Sequence, residues 1–400
     1  MSGTRRRPGS LGPFVEGYRV RLLELGYTPS TVRGMLKVLG QLGRWMDAER
    51  VGLGELDMAA VEAFRAARRA GGDRRVASVG ELRQLVRYLG EVGVMAPKKG
   101  PRELTPPERL IADYRAWLVG ERGLAAATVH RYETLARRFL GERVTPDDEQ
   151  GVVGLAGAEV SAFLVRECAR LSVGSAKGRV AELRSLLRFL HLRGLTTLAL
   201  AEAVPPVAGW RDTGIPRTLA RVEVARLLAG CDRSRLEGAR DFAILILLAR
   251  LGLRSIEVAR LELDDLDWRA GEIVVRGKAR RQDRLPLPSD VGEALAAYLS
   301  ERGPHDSRRV FLTLRAPTRP VRADLVGDVV QRACRRAGVG HVGAHRLRHA
   351  LASELLREGA SLIDVSQVLR HRDLATTAIY AKIDLGRLRQ VAQPWPGARR

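Results

Sequence analysis

The chain has 400 residues, of which 45% are apolar, and it carries 68 lysines and arginines against 46 aspartates and glutamates. This length suits two or three domains. The formal net charge of +22 favours a polyanionic partner, with nucleic acid as the first candidate. A proteome-wide arginine bias would explain part of the excess, but not why the acidic residues fail to balance it.

Cysteine usage and hydropathy exclude several classes of protein. Cys168, Cys231 and Cys334 are scattered, with no Cys-x-x-Cys pair, which predicts a reducing compartment and argues against a disulfide framework. The best apolar run, FAILILLA at 242–249, is too short to span a membrane. The basic start of the chain is followed by no apolar signal region. We therefore expect a cytoplasmic protein of bacterial type.

Two segments rich in proline, glycine and charge interrupt the helical patterns. They lie at 96–109 and 203–217, and both are typical of linkers. They predict three domains, at residues 1–100, 101–208 and 209–400.

The first two domains repeat each other in sequence. ELGYTPSTVRGML (24–36) aligns with ERGLAAATVHRYE (121–133), and ELRQLVRYLGEVGV (81–94) aligns with ELRSLLRFLHLRGL (182–195). Matching blocks in the same order indicate a repeat rather than a chance likeness of two leucine-rich helices. Apolar residues at helical spacing predict a small helical bundle in each domain.

The third domain adds a short β segment to its helices. DFAILILLARLGLRSIEVARL predicts a buried helix, a turn at Gly252 and a second helix, while GEIVVRGKARRQDRLPLP (271–288) predicts two short strands joined by a basic turn. Helical patterns continue to the end. The predicted fold class is therefore mainly α with a small antiparallel sheet, in which two helical-bundle domains precede an α+β domain.

Several polar residues of this domain have ordinary structural explanations when each is taken alone. Arg254 begins a helix with Glu257 one turn later, which is usual for a surface ion pair. Lys278 lies at a hairpin tip, where a lysine is normally solvated. Tyr380 lies on an amphipathic helix, where a tyrosine is usually part of the core.

A histidine pair raises the alternative of a metal site. His345 and His349 have the spacing of two zinc ligands on a helix. However, Arg346 and Arg348 lie between them, and two cations beside the site would repel a metal. We therefore expect no metal here.

Taken together, these side chains suit a phosphate. Two arginines and a lysine match phosphate oxygens, two histidines can donate hydrogen bonds or move protons, and a tyrosine can act as a covalent nucleophile. The sequence supplies neither a metal cage nor a nucleotide loop, so we expect no cofactor.

The third domain resembles the catalytic domain of the tyrosine recombinases, the phage-integrase family, and most of all its Xer-type branch. The family order of Arg, Lys, His-x-x-Arg, His and Tyr falls on Arg254, Lys278, His345 with Arg348, His371 and Tyr380. The last two are nine residues apart, as in the family. The stretches GLRSIEVARL and TTAIYAKI match as well. Residues 109–200 resemble, more loosely, the helical core-binding domain of the family.

The sequence departs from the family pattern at two places. The family often has glycine before the second histidine, where this chain has Arg370. The lysine turn usually continues with glycine, whereas here it reads KARRQDR, so that Arg280 and Arg281 compete with Lys278 for its role.

The resemblance implies a site-specific recombinase or integrase that cleaves and rejoins DNA strands through a 3′-phosphotyrosyl intermediate, without metal or ATP. Tyr380 would be the nucleophile and His345 its proton acceptor. Lys278 would protonate the leaving 5′-oxygen, and Glu257 would support the site from behind. The remaining residues would bind the phosphate: Arg254, Arg348 and His371.

The resemblance also implies partners. Double-stranded DNA with inverted-repeat sites is the expected substrate, in the bacterial nucleoid, bound by a tetramer that assembles through the C-terminal segment at 384–400.

The first repeat is expected to be an extra DNA-binding module, or alternatively a bundle recycled for subunit contacts. Candidate DNA contacts are Arg83, Arg87, Arg184, Arg188, Arg280 and Arg281.

Three other functions compete with this interpretation. A type IB topoisomerase-like relaxing enzyme would share the chemistry, although the core-binding resemblance disfavours it. A DNA-binding regulator without catalysis is disfavoured by the intact set of six residues. A basic helical scaffold would fit the composition alone.

Overall fold

The computed structural model describes residues 9–72, 77–95, 104–144, 152–208, 218–277 and 281–371, together with Thr377 and Tyr380. The chain forms two compact units, one of Pro97–Thr213 and the other of Met1–Ala96 with Gly214–Arg400. The division into three domains stays a prediction. Within the described ranges, every helix is too short or too polar to cross a membrane.

The first helical bundle belongs to the larger unit, and its described residues contain four α-helices. Its core is closed by buried side chains such as Tyr18, Leu39 and Leu85. The second helix begins where Thr28 caps it, because the threonine hydroxyl accepts the backbone N–H of Thr31 at 3.4 Å. The helices are α1 (Val15–Glu24), α2 (Pro29–Glu49), α3 (Met58–Ala70) and α4 (Val79–Glu91).

The described part of the smaller unit forms a second bundle, with four α-helices. They are α5 (Pro106–Gly120), α6 (Ala126–Gly141), α7 (Gly157–Cys168) and α8 (Val173–Leu192). Gly26 and Gly123, aligned in the sequence repeat, both have positive φ, 81° and 57°, in the turn before the second helix of their bundle. Tyr88 and Phe189, also aligned, are both buried in their cores. The prediction of two helical bundles is confirmed.

The α+β domain packs its helices around a buried central helix. Most of the side chains on α10 are buried, including Ile244, Leu247 and Leu248. The helices are α9 (Arg221–Ala229), α10 (Leu236–Arg250), α11 (Ser255–Arg260), α12 (Ser289–Arg302), α13 (Ala323–Ala337), α14 (His345–Arg357) and α15 (Leu362–Leu369).

A small antiparallel sheet completes this domain. Its strands run in the order β1 (Leu266–Asp267), β2 (Glu272–Arg276) and β3 (Gln282–Pro286). The register pairs Ile273 with Leu285 and Arg276 with Gln282, so that β2 and β3 form a hairpin. The predicted fold class, mainly α with a small antiparallel sheet, is confirmed.

Candidate active site

A glycine shapes the turn that presents Arg254. Gly252 has φ of +57°, and a Cβ atom there would lie 2.8 Å from a methyl of Leu369 and 3.1 Å from a methyl of Leu351. Both the backbone conformation and the close packing therefore require glycine. The tight turn after α10 places Arg254 at the N-terminus of α11, where its side chain is partly exposed.

A buried carboxylate holds Arg254 from behind. Glu257 accepts the Arg254 backbone N–H at 2.9 Å and its guanidinium at 2.6 Å. Arg370 donates to the same carboxylate from the other side, at 2.9 Å. Burial by itself raises the pKa of Glu257, but the hydrogen bond from the Arg254 backbone and the charges of Arg370 and Arg254 outweigh it, so the pKa is lowered.

The backbone of Arg370 adopts an uncommon conformation. Its φ of 56° lies in the left-handed region, which costs a residue with a side chain on the order of 1 kcal/mol relative to glycine. Its side chain is only 4% exposed. The glycine of the family pattern would adopt this backbone conformation without strain. Because arginine does not, the contacts of its side chain must stabilise the conformation here.

Arg348 is the most deeply buried of the three arginines described at the site, Arg254, Arg348 and Arg370. Its side chain, on α14, donates to the backbone carbonyls of Gly252 and Leu369. These two bonds join α14 to the glycine turn and to the end of α15. Burial, together with the positive charges of Arg254 and Arg370, lowers the pKa of Arg348 to about 9, which leaves it charged at neutral pH.

Two histidine rings lie beside Tyr380, and a third, that of His345, packs against one of them. The ring centroids of His345 and His349 are 4.7 Å apart, those of His349 and Tyr380 are 5.3 Å apart, and those of His371 and Tyr380 are 6.3 Å apart. Tyr380 is 1% exposed and packs in an apolar cluster. The other buried members of that cluster are Ala352, Leu356, Val365 and Leu369.

The histidines are neutral at physiological pH. Burial is the largest cause of a lowered pKa in all three, and the positive charge of Arg348 lowers each pKa further. The pKa falls to about 4 for His349 and to about 4 for His371, and that of His345 is also lowered. A neutral ring can accept one proton and donate one hydrogen bond.

Thr377 contacts both Tyr380 and His371. The Tyr380 N–H donates to the Thr377 carbonyl at 2.9 Å, and the Thr377 hydroxyl lies 2.8 Å from Nδ1 of His371. Burial raises the pKa of the Tyr380 phenol, and the charge of Arg348 opposes the rise. The phenol is therefore protonated at neutral pH.

The structure brings six of the predicted residues to one place: Arg254, Glu257, His345, Arg348, His371 and Tyr380. Lys278, Arg280 and the C-terminal segment at 384–400 lie outside the described residues. Arg281 pairs with Asp283 at 2.8 Å and borders a cavity of about 370 Å³ that Arg370 and His371 also line.

Comparison with known proteins identifies the family. The phage integrase family matches residues 217–386. The protein y4rA of Sinorhizobium fredii, named as an integrase/recombinase, is 39% identical over 402 residues, which covers 98% of this chain and 97% of y4rA. The chain belongs to the phage integrase family of tyrosine recombinases. It is a site-specific recombinase, and the predicted resemblance is confirmed.

Two further proteins show the relation of this recombinase to known sequences and folds. The tyrosine recombinase XerD of Mycobacterium tuberculosis is 34% identical, over 71% of this chain and 95% of XerD. A lambda integrase tetramer bound to a Holliday junction matches with a TM-score of 0.51 at 16% identity, covering 77% of this chain and 87% of that one. The second match shows the shared fold.

The arginines predicted to contact DNA differ in their solvent exposure and in whether the guanidinium is already hydrogen-bonded. Arg83, Arg87 and Arg188 are exposed on their helices. Arg184 is half-buried, and its guanidinium donates to the carbonyl of Val204 at 2.7 Å. In the recombinase, Arg184 thus also secures the end of its own bundle.

Three residues of the site were not identified from the sequence. In the sequence, His349 drew attention only because it and His345 have the spacing of two zinc ligands. In the structure, its ring lies beside Tyr380. In the described part of the chain, no group of three potential metal ligands includes it. Thr377 carried no signal except its position between His371 and Tyr380. Arg370 was noticed as a departure from the family, but nothing indicated that its side chain turns inward.

The lowered histidine pKa values predict that acid destabilises the recombinase. An unfolded histidine titrates near 6.5, so between about pH 6.5 and 4 the unfolded chain binds protons that the folded His349 and His371 do not. Stability is fully present above about pH 6.5 and is lost as the pH falls towards 4. Denaturant midpoints measured at pH 7, 6 and 5 should fall steadily.

A matched pair of variants localises this effect. His349→Asn should flatten the pH dependence of the midpoint, whereas His341→Asn, which changes an exposed histidine, should leave it as in the wild type. An unchanged slope in His349→Asn would contradict the assignment.

Proposed function

We propose that this recombinase cleaves and rejoins DNA through a covalent 3′-phosphotyrosyl intermediate on Tyr380. The observation that carries the proposal is a buried tyrosine set among neutral histidines beside buried arginines, a site whose positive charge is only partly neutralised by Glu257. The product of cleavage keeps the energy of the phosphodiester bond, so religation needs neither ATP nor a metal.

The arginines are assigned to the scissile phosphate. Arg254 is partly exposed and held from behind by Glu257, so its remaining donors can meet non-bridging oxygens. Arg348 uses two guanidinium nitrogens on backbone carbonyls, and its Nε has no partner among the described residues. Both charges would stabilise the pentavalent transition state, and His371 would donate to the same oxygens.

Proton transfers complete the reaction. As Tyr380 attacks phosphorus, its phenolic proton passes to a neutral histidine, for which His345 is the proposed base. The leaving 5′-oxygen takes a proton from Lys278, with Arg280 or Arg281 as the competing donors. A second DNA 5′-hydroxyl then attacks the phosphotyrosine, the transfers run in reverse, and Tyr380 regains its proton.

The geometry adds a second candidate for the base. The His349 ring is 5.3 Å from that of Tyr380, closer than the ring of His371, and its buried Nδ1 has no partner in the described structure. His345 keeps priority because, of the two histidines, it is the more exposed and so the more accessible to a bound strand.

Assembly is proposed by analogy with the DNA complex of lambda integrase. We infer that the recombinase binds inverted repeats as a tetramer and that residues 384–400 dock on a neighbouring protomer. Any inverted repeats in the DNA that flanks its gene would be the first candidate sites.

The first bundle is proposed as an additional DNA-binding module. Arg83 and Arg87 lie one turn apart on the exposed face of α4, and Arg188 occupies the matching position on α8. Exposed arginines at helical spacing suit a phosphate track. The first bundle also makes a protein contact inside the larger unit, where the Thr318 N–H donates to the carbonyl of Leu25 at 2.9 Å. This contact is relevant to the alternative role of the bundle, which is contact between subunits.

The nucleophile is tested by Tyr380→Phe. Incubated with a nicked duplex that carries the site, the wild type should give an SDS-stable protein–DNA adduct, and the Phe variant should give none while binding DNA normally. Tyr298→Phe is the control, because it removes another buried hydroxyl of the same domain. An adduct formed by Tyr380→Phe would refute the assignment.

The DNA-binding role of the first bundle is tested by salt dependence. Replacing Arg83 and Arg87 together by Gln should reduce the slope of log affinity against log salt by up to about 1.8, because each lost phosphate contact removes roughly 0.9. Arg19→Gln serves as the control, since that guanidinium is already paired with Glu16. An unchanged slope, with weaker cooperative assembly, would instead support a subunit-contact role.

A further inference from the structure

Arg370 occupies the turn that delivers His371. Its backbone N–H donates to the Gln367 carbonyl at 2.9 Å, and the N–H of His371 donates to the Ser366 carbonyl at 3.0 Å. The left-handed conformation of Arg370 thus ends α15 and sets the direction in which the next residue leaves the helix.

The side chain of Arg370 turns away from solvent and joins three segments of the site. One terminal nitrogen donates to the Glu257 carboxylate at 2.9 Å. The other donates to the carbonyl of Val368 at 3.1 Å and reaches that of Leu251 at 3.5 Å. The guanidinium therefore ties the His371 turn to the end of α10 and to α11, at whose start Arg254 lies.

Because Arg254 and Arg370 share the Glu257 carboxylate, Arg370 also changes the net charge beside Arg254. Arg254 and Glu257 alone would form an ion pair with no net charge. The second guanidinium leaves the trio with one net positive charge, and both Glu257 and Arg370 are almost fully buried, so water screens that charge weakly. The phosphate that meets Arg254 would therefore experience a net positive charge from this trio.

We propose that Arg370 is a positioning residue that acts through Glu257, fixing the direction of Arg254 and preserving the positive charge offered to the scissile phosphate. This inference rests on the proposed phosphotyrosyl chemistry. Arg370 itself touches no reacting atom. The competing explanation is that it serves only as the end of α15, in which case glycine would replace it without loss.

Three substitutions separate these explanations. Arg370→Gly suits the left-handed backbone but removes the charge, Arg370→Gln keeps much of the length without charge, and Arg370→Lys keeps charge without the planar fork. Single-turnover cleavage of a nicked duplex at saturating protein and the Kd for the same duplex are measured for each. Arg357→Gln is the control, because it removes an exposed cation of the same domain.

The expected result is a split between chemistry and binding. Arg370→Gly and Arg370→Gln should cleave up to about 100-fold more slowly, as misplacement of a reacting group by about 1 Å can cost that much. The Kd should change little, since many other cations contact the DNA. Arg370→Lys should recover part of the rate. Combined with Glu257→Gln, Arg370→Gly should add far less than its separate effect, because both act on one network.

Other outcomes would overturn the inference. If Arg370→Gly cleaves DNA at the wild-type rate, Arg370 serves only to end α15. Equal losses in the Lys and Gln variants, with matching losses of thermal stability, would make its role purely structural. If the wild type forms an adduct in either case, the proposed function survives. If the wild type forms none, the proposed function fails and the inference fails with it.

Discussion

One buried carboxylate makes the cationic site possible. Arg254, Arg348 and Arg370 bring three guanidinium groups to the junction of the glycine turn, α14 and α15, two of them almost wholly removed from water. Buried like charges are costly unless hydrogen bonds and an opposite charge compensate them. Glu257 supplies the negative charge that compensates Arg254 and Arg370, and backbone carbonyls accept hydrogen bonds from Arg348.

The protonation states of the site depend on this arrangement. Burial, together with the excess positive charge, lowers the pKa of the histidines and keeps them neutral, so they can accept a proton. The same burial keeps the Tyr380 phenol protonated until a partner arrives. In the proposed chemistry, a DNA phosphate would bring negative charge to this site, so that DNA binding and proton transfer from Tyr380 would be coupled.

The features that could be predicted from the sequence are either local or set by the order of the family motif. The helical bundles, the hairpin and the Arg254–Glu257 pair depend on spacing along one element, and all are present. The inward turn of Arg370, the approach of His349 to Tyr380 and the bond of Arg184 to Val204 depend on how distant segments pack. Spacing carries no information about such contacts, so the sequence indicated neither the place of His349 beside Tyr380 nor the bond of Arg184 to a backbone carbonyl.

The most direct test of this account is to map the covalent bond itself. The wild-type adduct is trapped on a nicked duplex, digested with protease and nuclease, and sequenced by mass spectrometry. The account predicts a nucleotide joined through its 3′-phosphate to Tyr380, with a free 5′-hydroxyl on the released strand. A nucleotide attached to any other residue, or joined through a 5′-phosphate, would contradict it.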